Sequence, residues 1–129
     1  MKSKYYLWTS IILFIVSVFL PVYISDVNTD NPMGYDFLIL GWMVYPSIDF
    51  FCWLGNFTLL LSWIFYYKKI GLVFSFTTIL LMFSFWINHV SELRIFEISE
   101  EGTLLGYYFW LSSSILLIFN KLNFDYLRK

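Results

Sequence analysis

From Tyr5 to Ile24 the chain carries no charged side chain, and a helix of that length crosses a hydrocarbon core of about 30 Å. Comparable uncharged runs recur at 50–67, 70–87 and 103–119. A chain cut into such runs by short charged segments has few folds open to it. The composition closes off the soluble ones, because 60% of the residues are hydrophobic and only 13% are charged. A mean hydropathy of +0.71 in 129 residues leaves too little polar surface to keep a globular domain dispersed in water. The expected fold is therefore an all-α membrane protein, a four-transmembrane-helix bundle forming a single integral membrane domain over 1–129.

The segments between the runs refine this expectation. The basic start, Lys2 and Lys4, followed by an apolar run also fits a signal peptide. The exit, Phe19-Leu20-Pro21-Val22-Tyr23, lacks the small residues that cleavage prefers, which favours an uncleaved first span. Residues 25–36 contain Asp26, Asp30, Asp36, Asn31-Pro32 and Gly34, which is loop chemistry. The stretch 37–45 is apolar on every side but too short to span, so it reads as a short outer helix or a re-entrant segment, with Asp36 as a candidate cap. Pro46 turns Tyr45 away from helical geometry, and Ser47 is placed to cap the second span. Lys68-Lys69 leaves only a tight turn between the second and third spans, which must be antiparallel neighbours.

Charge sets the orientation. Lys2, Lys4, Lys68, Lys69, Lys121, Arg128 and Lys129 fall on one side of a four-span arrangement, and Arg94 alone on the other. Basic residues near span ends are retained in the cytoplasm, so both termini are expected there, in a bacterial inner membrane. The acids agree: Asp26, Asp30, Asp36, Asp49, Glu92, Glu97, Glu100 and Glu101 fall outside and only Asp125 inside. A three-span alternative would bury Lys68-Lys69 at about 3 kcal/mol per charge near the bilayer centre.

Between helices in lipid, cohesion comes from small residues and hydrogen bonds. Ser10 with Ser17, Gly55 with Ser62, and Gly71 with Ser75 share helix faces. Gly102, Gly106 and Ser113 share another, and its GxxxG favours packing within the chain over dimerisation, with the oligomeric state left open. Aromatics make up 24% of the chain. Tyr5, Tyr6, Trp8, Tyr66, Tyr67 and Tyr126 fit an inner interfacial belt. Trp42, Tyr45, Trp53, Trp86, Tyr107, Tyr108 and Trp110 lie toward the outer side, enough of them to wall an outward-facing pocket as well as to anchor the bundle.

Polar residues in the apolar runs mark the candidate site. Asp49 and Asn56 project from one face of the second span, with Cys52 and Trp53 between them. Asp49 also suits a first-turn acid on the helix dipole, and Asn56 an interhelical hydrogen bond. Thr77, Ser84, Asn88 and Ser91 form a stripe on the third span that is expected to face the bundle. His89 and Glu92 stand one turn apart. Two ligands with no second histidine are too few for a metal site, and a pH-sensitive outer contact suits His89 better. The outer-cleft ligand set is thus Asp49, Trp53, Asn56, Asn88, His89, Glu92 and Trp110. The single cysteine, Cys52, reads as a small buried hydrophobe. Asn56-Phe57-Thr58 matches a glycosylation sequon but lies inside a span. No catalytic triad, phosphate loop or dinucleotide fingerprint is present, no cofactor is implied, and a net charge of −1 gives no footprint for nucleic acid.

Leu20-Pro21, Gly41-Trp42, Trp53-Leu54-Gly55-Asn56 and Gly106-Tyr107-Tyr108-Phe109-Trp110-Leu111-Ser112 occur together in this chain. The combination resembles small uncharacterised bacterial four-span inner-membrane proteins. Where those often carry proline after the asparagine of the second span, Phe57 stands here. The resemblance implies a fold and no activity. The residues point first to a non-enzymatic binding or accessory protein that meets membrane lipid and a membrane or periplasmic protein partner through its outer face. A lipid- or hydrophobe-handling protein or enzyme with an outward cleft is the second reading, and an oligomeric pore or transporter subunit the third.

Overall fold

The computed structural model describes residues 2–22, 33–92 and 105–126, with side chains for 4–22, 33–87, 105–120 and 122. The loop acids from Asp26 to Asp30 and from Glu97 to Glu101, together with Arg94, lie outside these residues. Among the described residues the protein is all-helical: α1 (Lys2–Val18), α2 (Gly34–Leu40), a 3-10 turn (Gly41–Val44), α3 (Ile48–Ile64), α4 (Lys69–Glu92) and α5 (Leu105–Tyr126).

Local chemistry sets the helix ends, and these differ from the ends of the apolar runs. The first run continues to Ile24, but α1 stops at Val18 and closes through Phe19 N–H to Val16 O and Leu20 N–H to Ser17 O. Pro21 disfavours helical geometry at the residue before it, so apolar character outlasts the helix. The short segment begins earlier than its apolar core, at Gly34 rather than Phe37, and the Asp36 carboxylate accepts from Met33 N–H at 3.0 Å. Tyr45 is extended, and Ser47 holds the N-cap position of α3 without a side-chain hydrogen bond. A tight turn after Ile64 returns the chain, with Lys68 N–H on Phe65 O at 2.8 Å. By contrast, α4 and α5 run past their apolar stretches to Glu92 and Tyr126.

Helix α3 packs along α4, α4 along α5, and α5 along α1, in alternating directions. Helices α1 and α3 meet through side chains: Trp63 Nε1–H donates to Ser10 Oγ at 3.0 Å, and Phe14 meets the Trp63 ring edge-on at 5.4 Å. At one end α2 and its 3-10 turn fit between α1 and α3. The opposite end holds the α3–α4 turn, exposed Lys68 and Lys69, and the Asn120 amide donating to the buried Tyr66 hydroxyl. Tyr66 is thus a core residue and not part of an interfacial belt.

The packing is polar within and apolar without. The buried set includes Ser10, Ser17, Asn56, Ser62, Ser75, Thr78, Ser113, Ser114 and Asn120, interleaved with Leu59, Met82, Phe85 and Leu117. Between α3 and α4 these groups form a ladder: Cys52 Sγ to Ser84 Oγ at 3.2 Å, Thr58 Oγ1 to Thr78 Oγ1 at 2.7 Å, and Ser62 Oγ to Ser75 Oγ at 2.6 Å. Ser10 Oγ donates to Ser113 O at 2.7 Å between α1 and α5. On α4 the buried stripe passes through Gly71, Ser75 and Thr78; Thr77, expected on the inner face, instead donates to Val73 O of its own helix. Meanwhile Ile12, Ile15, Ile64, Val73, Leu80, Phe83 and Phe119 face outward.

Among the described residues one helix, over Lys69–Ile87, is long and apolar enough to cross a membrane by length and composition, with a mean hydropathy of 2.1. Only 28% of its apolar window is buried, which is unlike the central helix of a water-soluble core. The other three long apolar stretches, Lys4–Val18, Ile48–Ile64 and Leu105–Asn120, are shorter. Pro21 and the turn after Ile64 leave α1 and α3 at 17 residues each, about 26 Å of helix.

Candidate functional site

Three glycines allow close approaches at the end of the bundle that carries α2, two of them to backbone and one to an indole ring. A Cβ on Gly34 would stand 2.4 Å from Ser17 O and 2.7 Å from Val18 Cα, so the start of α2 lies directly on the last turn of α1. A Cβ on Gly41 would enter the Trp53 ring, 2.3 Å from Cδ1. A Cβ on Gly106 would come within 2.7 Å of Pro21 O and 2.8 Å of Leu20 O. Backbone hydrogen bonds fix the same contacts: Gly34 N–H donates to Leu20 O at 3.0 Å and Gly106 N–H to Pro21 O at 3.1 Å. The exit of α1 is thereby tied to the first residues of both α2 and α5.

This stitching encloses a cleft of about 390 Å³, mouth included, between α2 and the four long helices. Most of that space is open mouth and only about 30 Å³ is enclosed, so a guest would lie along the cleft rather than inside a closed cavity. Its apolar walls come from Phe14, Val18 and Val22 on the α1 side, Phe37 and Leu38 on α2, and Phe85 on α4. Phe85 meets Phe37 edge-on and stacks on Tyr107, both at 5.4 Å. The Tyr107 hydroxyl is engaged, donating to Met82 O at 2.8 Å.

Ser17, Asn56 and Trp110 bring further polar groups to the lining. Ser17 Oγ donates to Phe14 O at 2.6 Å. Asn56 is 7% exposed, and one of its amide hydrogens reaches Trp53 O at 3.0 Å within α3. Trp110, also 7% exposed, crosses from α5 to pack near Gly55, where an added Cβ would meet its Cζ2 at 3.6 Å. Its Nε1–H is the one buried side-chain donor among the described residues with no hydrogen-bond partner.

The sequence-derived ligand set divides on this geometry. Asn56 and Trp110 line the cleft. Trp53 does not line it; its Nε1–H donates to Leu38 O at 2.8 Å and its ring covers Gly41, so it fastens α2 to α3. Asp49 lies in the first turn of α3, half-buried and outside the lining. Asn88, His89 and Glu92 belong to the final turns of α4, and their side chains lie outside the described residues. Cys52 is fully buried, as its apolar surroundings imply. Of the outer aromatics, Trp42, Tyr45, Trp86 and Tyr108 are exposed, whereas Tyr107 and Trp110 turn inward to the cleft. Ser17, Phe37 and Phe85 were not among the expected site residues. Ser17 was legible only as one member of a small-residue face, and the other two look like ordinary apolar positions.

Among the described residues no three His, Cys, Asp or Glu side chains gather as a metal site would require. No family model matches the chain, and no curated protein or solved structure matches it significantly.

Proposed function

We propose that this is a four-span integral membrane protein of non-enzymatic, ligand-binding character, which holds a hydrophobic molecule in the cleft beneath α2. Support for the membrane setting comes from the inverted packing, since serines and threonines are drawn inward while isoleucines, leucines and phenylalanines face out all round the bundle. In water that surface would drive aggregation; in lipid it meets its own kind, and interhelical hydrogen bonds and close packing provide cohesion. Helices of about 26 Å suit a slightly thinned bilayer, and exposed Trp8, Tyr5 and Tyr67 suit the interface at the lysine end. On this reading Lys4, Lys68 and Lys69 are cytoplasmic, Asp36 and Asp49 lie at the outer end, and a bacterial inner membrane is the setting.

The observation that carries the binding function is the cleft itself, walled by apolar side chains and furnished with a few polar groups. Expectations of a protein partner rest largely on the acidic loops, which lie outside the described residues. For the pore reading, the second glycine of the GxxxG is already engaged by Pro21 within the chain.

Native mass spectrometry of the protein released gently from its membrane tests the function. The wild type should retain a small-molecule adduct, and Val18→Phe, which fills the cleft from α1, should lose it. Bare monomer for both proteins, or equal adducts on both, would refute the cleft as a binding site.

A further inference from the structure

The chemistry of the cleft narrows the class of molecule it takes, on the premise that it is a lipid-facing binding site as proposed above. Trp110 is 7% exposed and its indole N–H has no acceptor, which is a costly state for a buried donor. The ring lines the cleft and packs near Gly55, beside Asn56. Asn56 spends one amide hydrogen on Trp53 O, and its other N–H and its carbonyl make no hydrogen bond among the described residues. Two residues with unused hydrogen-bonding capacity therefore line one largely apolar cleft.

A ligand complementary to this arrangement has a long apolar body and a compact acceptor. It is uncharged at the acceptor, because among the described residues of the lining no Lys, Arg or His stands to offset a buried phosphate or carboxylate. Depth agrees with this. Trp110 lies about 8 Å along α5 from its start at Leu105, and Asn56 about 12 Å along α3 from Ile48. In a bilayer both positions fall within the hydrocarbon, Asn56 at the middle of α3, where a charged group is disfavoured and an ester carbonyl would be drawn in below the headgroups. We propose that the cleft binds an acyl ester of the membrane: its carbonyl oxygen accepts a hydrogen bond from Trp110 Nε1–H, Asn56 supplies a second polar contact, and the chain lies against Phe37 and Phe85.

The test uses the full chain, labelled with nitrogen-15 at its tryptophan indoles, in alkyl maltoside micelles. Trp110→Phe assigns the Trp110 resonance by its disappearance. A fatty-acid methyl ester is titrated in one arm and an alkane of equal chain length in the other. The ester should move the Trp110 indole proton downfield and slow its exchange with solvent, and the alkane should do neither. The Trp63 indole, bonded to Ser10, serves as the marker that the bundle is intact. An unmoved Trp110 resonance with a native Trp63 signal, or equal shifts from ester and alkane, would overturn the ester assignment. Adduct loss in Val18→Phe is read independently, so an adduct combined with an unresponsive indole refutes the ligand class alone.

Discussion

Trp63 and Trp110 occupy opposite situations with the same side chain. Each carries one indole donor, but Trp63 donates to Ser10 Oγ at 3.0 Å whereas Trp110 donates to no described residue. Replacing either by phenylalanine removes similar volume, so the difference isolates the hydrogen bond. In detergent without added lipid, Trp63→Phe should destabilise the bundle by about 1 kcal/mol more than Trp110→Phe, measured by unfolding in a denaturing detergent. Equal losses would show that Trp110 has a partner after all. Asn56 and Trp110 were legible in the sequence as a polar residue inside an apolar run and as part of an aromatic excess. Trp53 and Asp49 were not separable from them. Helix spacing tells which residues share a face, but not that the Trp53 indole would be taken up by Leu38 O.

At the level of elements, the close approach of backbones decides what the chain tolerates. Gly55 and Gly106 are both buried, but their surroundings differ. A Cβ at Gly55 makes ordinary contacts at 3.6 Å with the side chains of Leu81, Met82 and Trp110, whereas one at Gly106 meets the Leu20 and Pro21 carbonyls at 2.8 and 2.7 Å. Side chains give way and these carbonyls do not, since Pro21 O also accepts the Gly106 N–H. Gly55→Ala should be nearly neutral, and Gly106→Ala should cost about 2 kcal/mol and loosen the exit of α1. The same unfolding assay separates them, and a neutral Gly106→Ala would show that the stitching at this end is loose. Hydropathy alone located the long helices among the described residues, because long apolar runs bounded by lysines or polar loops stand out. It misjudged their ends, since Pro21 stops α1 while the run stays apolar, and Gly34 starts α2 before the apolar stretch begins. The cleft beneath α2 depends on those ends, which hydropathy does not reveal.

For the molecule as a whole, the inverted packing links composition to function. A chain with 60% hydrophobic residues turns many of them outward and keeps hydroxyls and amides for its interior. The α3–α4 ladder and the Ser10–Ser113 contact tie neighbouring helices together. At the α2 end that interior opens into the cleft lined by Asn56 and Trp110. The claim on which all this rests is that the outward residues lie in hydrocarbon. Leu80, 70% exposed in the middle of α4, is the position to probe, with Cys52→Ser removing the only native cysteine. A nitroxide on Leu80→Cys in reconstituted vesicles should collide freely with oxygen, which dissolves in lipid, and be shielded from a water-soluble nickel chelate. Ready collision with the nickel chelate at that position would contradict the membrane-embedded bundle.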